Sequence, residues 1–469
     1  MVDLNGQPGA DRRQKEDGMT LSAVQWDFAN QEAEDNYQRA LRRYPAQVVV
    51  DLATLRDNMK AMVDRVHAVN PSTAVLGVVK ADAYGHGLLP TALAALAGGA
   101  TWLGTAQSRE ALLLRQKGVG PDRARIITWL YNGRQDPFDR LISQDIDLAV
   151  GSLAGIDAIV RGAQKIGRPA RVHVKVDTGF GRNGFTPEEF DQALTRLRQG
   201  VDAGQLEVVG QWSHLSVADA PEDPASRRAT DDQIALFNEF TDRMKAAGLP
   251  PSIRHLANTA ATFTRPEIYF ELVRPGVGLY GYEPDPVMGT GEDYGLKPAM
   301  TLQAQLGTVK NLPAGHSISY GRTYLTEEET STADLPLGYA DGIPRSASGF
   351  NRAGALGVDH PGGPVRIMTN QGPRLVRVSG RVCMDQCILD LHGSAEDWGV
   401  SEGDTVELFG PGRGEAYAEP TADDWARAAG TISYEIFTCL RNRIPRLYLH
   451  AQNVLSAEDV GLLDPTTVI

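Results

Sequence analysis

Ala74-Val75-Leu76-Gly77-Val78-Val79-Lys80-Ala81-Asp82-Ala83-Tyr84-Gly85-His86-Gly87 is the stretch whose reading decides the fold. Its first six residues are apolar without alternation, as in a strand buried on both faces. The strand ends in a lysine, and a turn of small residues follows, carrying Tyr84 and His86. An unpaired ammonium is costly to bury, so a lysine at a buried strand end is unusual. Desolvation lowers the pKa of such a lysine, and the neutral amine can form a Schiff base. The plainer reading is a side chain that snorkels out of the strand.

Working outward, strand and helix patterns alternate. Gln47–Asp51 reads as a strand and Leu52–Val69 as an amphipathic helix. From Ala74 the candidate strands are Ala74–Lys80, Thr101–Ala106, Arg125–Leu130, Asp147–Val150, Arg171–Asp177, Val208–Leu215, Ser252–Asn258 and Leu272–Tyr280. Helical patterns such as Pro187–Arg198 and Asp232–Ala247 lie between them. The first opens on Thr186, Pro187 and Glu189, a capping-box spacing. Eight such units predict an α/β fold with an N-terminal (β/α)8 TIM-type barrel. An open doubly wound sheet fits the same alternation. In a barrel the chemistry sits at the C-terminal strand ends, where Lys80, Asp177, His214 and Asn258 fall.

Glu283 to Pro298 has the Pro/Gly texture of a linker. Beyond it come short strands and tight turns: Thr301–Lys310, Ser317–Tyr320, Val365–Thr369, Arg374–Val378, Val382–Asp390 and Thr405–Phe409. A helix opens at Thr421 and stops at Gly430. The predicted division is an N-terminal extension over 1–44, partly disordered apart from a weak helix near Asp27–Arg43, a barrel over 45–295 and a mostly β C-terminal domain over 296–469.

A formal net charge of -13 argues against nucleic acid or an anionic membrane as partner. Cys383, Cys387 and Cys439 are too few for a disulfide framework, and no second pair or histidine cluster makes a metal site. Met1–Thr20 lacks the apolar core of a signal peptide, and no window reads as a membrane span. The expected location is the cytoplasm.

The stretch from Val78 to Gly87 resembles the pyridoxal-phosphate lysine motif of alanine racemases, with Asp82 where the usual form has Asn. Further blocks extend the resemblance over roughly Pro45 to Leu449: Arg171–Phe185 (RVHVKVDTGFGRNGF), His255-Leu256-Ala257-Asn258-Thr259, Val273-Arg274-Pro275-Gly276, Ser319–Tyr324 (SYGRTY), Gly338–Gly342 (GYADG), Arg381–Gln386 (RVCMDQ) and Ile432–Glu435 (ISYE). It implies pyridoxal 5'-phosphate on Lys80 and a two-base racemisation of L- and D-alanine, with Lys80 serving the D face and Tyr320 the L face. Tyr84, His214, Asn258, Thr259, Gly276, Val277 and Tyr434 would hold the cofactor. Arg274 would bond its pyridine nitrogen and keep that nitrogen unprotonated. Arg182 and the Met384 backbone N–H would bind the substrate carboxylate. Lys175 corresponds to a lysine that many members carry as a carbamate. Tyr339 and Tyr434 would narrow the entrance from a partner subunit, in a homodimer with shared active sites supplying D-alanine for peptidoglycan.

Rival expectations are a serine or broader-specificity racemase, a decarboxylase or aldolase on the same barrel, and a barrel that binds the cofactor without catalysis. The Arg274 and Tyr320 blocks speak against the second and the β-domain against the third. Residues 1–44 exceed the family's usual start. Ser346–Ser379, with His360-Pro361-Gly362-Gly363-Pro364, exceeds its common spacing and reads as a surface loop.

Overall fold

A computed structural model of the chain describes residues 22–131, 135–352 and 360–469. The first part of the extension, residues 1–21, lies outside the described residues. The chain forms two compact units, each assembled from separate segments. One comprises Asp51–Ala299 with His450–Pro465; the other takes the chain up to Val50, then Met300–Leu449 and Thr466–Ile469.

The first unit holds eight parallel strands: β1 (Ala74–Val78), β2 (Trp102–Gln107), β3 (Arg125–Leu130), β4 (Ile146–Val150), β5 (Ala170–Lys175), β6 (Leu206–Trp212), β7 (Ile253–His255) and β8 (Leu272–Val273). They pair in the order β7-β6-β5-β4-β3-β2-β1-β8. Because β8 pairs with β1, at Ala74↔Leu272 and Val75↔Val273, the sheet curls into a nearly closed barrel. The open doubly wound alternative is thereby excluded. Buried Val75, Leu76, Leu103, Ile126, Leu148, Val172 and Val174 build its wall. Each such side chain contributes about 1.5–3 kcal/mol on burial.

The helix Leu52–Val69 matches its sequence reading, with the Asp51 carboxylate accepting from the Ala53 and Thr54 amides. Two other boundaries differ. Thr186 and Glu189 do not open a helix: the helix is Phe190–Asp202, with no side-chain bond at its cap. Thr186 pairs instead with Glu188 in the preceding turn. The Asp232–Ala247 pattern is the second half of a longer helix, Pro224–Ala246, capped by Asp223. Strands β1, β5, β6, β7 and β8 also stop two to seven residues before the sequence expectation. The chemistry-bearing residues therefore lie in loops just beyond the strand ends.

The second unit is built on a nine-stranded sheet. Ala46–Asp51, placed with the barrel by the sequence reading, pairs antiparallel with Met300–Gln305 in this sheet. The reading missed the strand Thr330–Leu335, which joins Val309–Leu312 to Cys387–Asp390. The expected Ser346–Ser379 surface loop is largely structure: Pro364–Thr369 and Gly372–Val378 form a hairpin within the sheet. Gly363 is buried against the Trp425 ring, and residues 353–359 lie outside the described residues.

Within this unit the extension is described from Ser22. Helix Gln31–Arg43 is capped by Asn30, whose side chain accepts from the Ala33 amide at 3.0 Å. Its Ala33, Tyr37 and Ala40 share one core with Val49, Leu447, Leu449 and Ile469. The Tyr37 hydroxyl accepts from Gln303 at 2.7 Å, and Asn36 donates to the Val468 carbonyl at 2.9 Å. The weak helix over Asp27–Arg43 is thus a firm element four residues shorter. Among the described residues, no helix is long and apolar enough to cross a membrane, and no cluster of potential metal ligands occurs.

Candidate active site

Beyond β1 the backbone turns left-handed. Ala81, Asp82, Ala83 and Tyr84 all have φ between 53 and 57°. Each non-glycine residue in this region costs about 1–2 kcal/mol, and four in succession signal a constrained segment. The turn is held from both sides. Asp82 accepts from the Leu88 amide at 2.8 Å, and Glu110 accepts from the Asp82 amide at 3.2 Å. Lys80 precedes the turn, half-buried. Burial, with the charge of Arg182 in addition, pulls its ammonium below the usual lysine range; Glu110 acts in the opposite sense.

Beyond β5 the Asp177 carboxylate gathers the amides of Gly179, Phe180 and Gly181 at 2.9–3.2 Å. Gly179 (φ 120°) and Gly181 (φ 71°) permit that tight wrap. It ends in Arg182, which is exposed and stacks 4.2 Å above the Phe180 ring. Lys175, at the end of β5, is buried and donates to Asn183. Burial, then Arg182 and Arg274, lower its pKa to about 7. His214 sits among the same charges. Burial, then Arg274, Arg182, Lys175 and Lys80, hold it well below its ordinary range, so it is neutral.

Beyond β7, Asn258 caps the short helix Thr259–Thr264, accepting from the Ala261 amide at 3.1 Å. The buried Thr259 hydroxyl accepts from the Gly276 amide at 2.7 Å, leaving its own proton to donate. A Cβ on Gly276 would lie 2.8 Å from the Tyr84 hydroxyl, so the bare backbone makes room for that phenol. Val277 begins the next helical turn, Val277–Tyr280. Hydroxyls of Tyr84 and Thr259 beside glycine backbone form a donor set of the kind a phosphate requires.

Arg274 is buried. Its guanidinium donates to the carbonyls of Ser213 (2.8 Å) and Leu256 (3.3 Å), and to His255 Nδ1 at 3.3 Å. Among the described residues it makes no salt bridge to a carboxylate. Burial lowers its pKa to about 9, still above neutral pH, so it remains a cation and a donor. The sequence reading missed Trp212. Its ring lies 4.4 Å from Lys175 Nζ and 5.2 Å from the Arg274 guanidinium, and it stacks on His255. Its place two residues before His214, at the end of a buried strand, was the available signal.

The remaining expected residues lie in the second unit. Tyr320 follows Ser319, a non-glycine residue at φ 60°, and precedes Gly321, at φ 78°. The Ser319 hydroxyl donates to the Arg381 carbonyl at 2.6 Å, fixing this turn against the loop that carries Met384. Tyr339 joins the same loop, its amide donating to the Cys383 carbonyl at 3.0 Å. Tyr320 is 71% exposed, Met384 55% and Tyr339 41%. Three large side chains on adjacent backbone and open to solvent are an unusual concentration for a monomer surface. Tyr434, in the first turn of Ser433–Cys439, is half-buried.

The first unit therefore gathers Lys80, Tyr84, Lys175, Arg182, His214, Asn258, Thr259, Arg274, Gly276 and Val277 at the C-terminal strand ends. The second groups Tyr320, Tyr339 and Met384.

Comparison with known proteins bears on the family of the chain. Residues 50–284 match the family model for the alanine racemase N-terminal domain and residues 299–448 that for the C-terminal domain. The alanine racemase of Salinispora arenicola is 45% identical over 406 residues, covering 86% of this chain and 98% of its own. That of Streptomyces coelicolor is 43% identical, covering 86% and 96%. Among solved structures, the Streptomyces coelicolor alanine racemase superposes with a TM-score of 0.78 at 43% identity, over 88% of this chain and 99% of that one. The enzyme of a D-cycloserine-producing Streptomyces lavendulae gives 0.76 at 40% identity, over 86% and 97%. With both domain models matched in order and relatives covered almost end to end, the chain belongs to the alanine racemase family of isomerases.

Proposed function

We propose that this chain is a pyridoxal-phosphate-dependent alanine racemase that interconverts L- and D-alanine in the cytoplasm as a homodimer and supplies D-alanine for peptidoglycan. The observation that carries the reading is the cationic cluster of Lys80, Lys175, Arg182 and Arg274, close enough for Lys80 to feel Arg182 and for Lys175 to feel both arginines. Such a cluster suits a substrate carboxylate and a phosphorylated, electron-withdrawing cofactor. When bound, pyridoxal phosphate acidifies the α-C–H of the amino acid attached to it.

The protein's own part is to hold and move protons. Lys80, with its pKa lowered by burial, is prepared to give up a proton and act as the base on the D face. Tyr320, carried on its rigid turn, serves the L face. Two bases on opposite faces suffice, because one removes the α-proton and the other returns one. Arg182 and the Met384 amide bind the carboxylate, and a guanidinium matches it in bidentate fashion. Tyr84, Asn258, Thr259 and the backbone at Gly276 and Val277 take the phosphate, with Tyr434 reaching it from a partner. His214, kept neutral by burial and the neighbouring cations, would belong to the same cofactor-holding set. Arg274, a donor at neutral pH, leaves the pyridine nitrogen unprotonated, which favours racemisation over transamination. Tyr339 and Tyr434 narrow the entrance, and the exposure of Tyr320, Tyr339 and Met384 supports a second copy as the cover of that surface.

The test is a chiral assay across L-amino acids on protein whose visible spectrum shows bound cofactor. Alanine should turn over fastest, and Lys80→Ala should lose both the cofactor band and the activity. A faster reaction with serine, or cofactor retained covalently without Lys80, overturns the assignment.

A further inference from the structure

One chain of hydrogen bonds runs through the barrel to Arg274. Asp147, fully buried on β4, lies 3.1 Å from His173 Nε2 on β5. His173 Nδ1 lies 2.9 Å from His255 Nε2 on β7, and His255 Nδ1 lies 3.3 Å from Arg274. Strand β6 stands between β5 and β7, and the two rings meet across it because residue 210 is glycine. A Cβ there would strike His173 Nδ1. Asp147 is anchored in turn: Arg171 Nε donates to its Oδ1 at 2.6 Å, and Arg125 donates to its Oδ2.

The proton bookkeeping has one solution. Arg274 is a donor, so His255 Nδ1 accepts. A neutral His255 then carries its proton on Nε2 and donates it to His173 Nδ1. His173 in turn carries its proton on Nε2 and donates it to the Asp147 carboxylate. Burial keeps both imidazoles below their ordinary range, which agrees with neutral rings. Burial opposes the Asp147 charge, but the His173 bond and the two arginines outweigh it.

We propose that Asp147, His173 and His255 form a relay that fixes both imidazoles as Nε2–H tautomers and thereby locks the Arg274 guanidinium as a donor from behind. They are positioning residues that act through Arg274, and their effect on turnover rests on the role proposed for Arg274 above. The relay connects the N-terminal end of the barrel to the site at the opposite end.

Asp147→Asn probes it. The introduced amide must turn its NH2 toward one side. Arg171 is also bound by Asp145, at 3.0 Å, and has no alternative tautomer. The Arg125 side chain is 35% exposed and stacks 4.1 Å from the Trp102 ring, so it can keep that stacking while its terminal amines turn toward solvent, and His173 can change tautomer. The NH2 therefore faces His173, which must now accept there and donate from Nδ1. His255 is forced to follow and presents an N–H to Arg274, donor against donor.

Nitrogen-15 ring spectra of histidine-labelled full-length protein read this directly, with His173→Gln and His255→Gln providing assignments. In the unsubstituted chain both rings should be Nε2–H and neutral. An Nδ1–H or doubly protonated ring at either position overturns the relay. In Asp147→Asn both rings should invert. Turnover should fall on the order of tenfold or more with little change in KM, as when a catalytic imidazole is held in the wrong tautomer. Failure of either ring to invert overturns the relay. Inversion of both with unchanged turnover keeps the relay and overturns the part assigned to Arg274.

Discussion

Lys175 illustrates how little at this site is set by a single residue. Its amine is buried among cations, and its pKa is about 7. The unfolded value is near 10.4, so the unfolded chain binds more protons between those limits. As a plain amine it would therefore make stability climb as pH rises from about 7 to about 10, and weaken the fold below that window. A neutral amine can instead add carbon dioxide, losing a proton to form a carbamate anion, which would be welcome beside Arg182. We expect protein in labelled bicarbonate at pH 8 to show one carbamate carbon resonance that Lys175→Ala removes and that fades below about pH 6. Its absence at pH 8 ends the idea. The residue types of this site were readable one by one, because each stood in a recognisable block. Their mutual influence was not: nothing in RVHVKVDTGFGR shows that Lys175 will lie near Arg274, ninety-nine residues further on and delivered by another strand.

At the scale of elements, the turn after β1 is the most constrained piece of backbone. Ala81 is exposed, at φ 57°, and its methyl makes the left-handed conformation costly. Ala81→Gly should raise stability by about 1 kcal/mol, and Ala81→Val should lower it by more. Thermal unfolding of the two variants orders them; a destabilised glycine variant would mean that the turn is unstrained. The helix Gln31–Arg43 makes the opposite point. Its apolar face is Ala33, Tyr37, Ala40 and Leu41, a helical spacing whose small alanines left it faint in the sequence. Tyr37→Ala should cost about 3–5 kcal/mol in denaturant unfolding, because it empties a shared core and strips Gln303 of an acceptor. Removal of residues 22–44 should be worse, contrary to what weak patterning suggested. The barrel strands were legible for a plain reason: they are apolar on both faces, and only their ends were overcalled. The Thr330–Leu335 strand was not, because Thr, Ser and Asp dominate it and its partners are supplied from far along the chain.

At the scale of the molecule, the proposed homodimer with shared sites makes a numerical prediction. Lys80→Ala and Tyr320→Phe should each be nearly inactive. Refolded together in equal amounts, half the dimers are mixed, and each mixed dimer holds one intact site of its two. Activity should recover to about a quarter of the unsubstituted level in a closed twofold assembly. No recovery despite demonstrated mixed dimers would place both bases in one chain. The assembly of the second unit also has a consequence for synthesis. The helix at 31–43 leaves the ribosome early, yet Asn36 finds its acceptor 432 residues later, at Val468. At ordinary translation rates that is a wait of roughly 20 to 90 seconds. Throughout it, the barrel segment has time to fold while Tyr37 and its neighbours stay uncovered. The nascent chain therefore carries, from its first hundred residues onward, an apolar helix face that a chaperone can hold and that only completion of the sheet can retire.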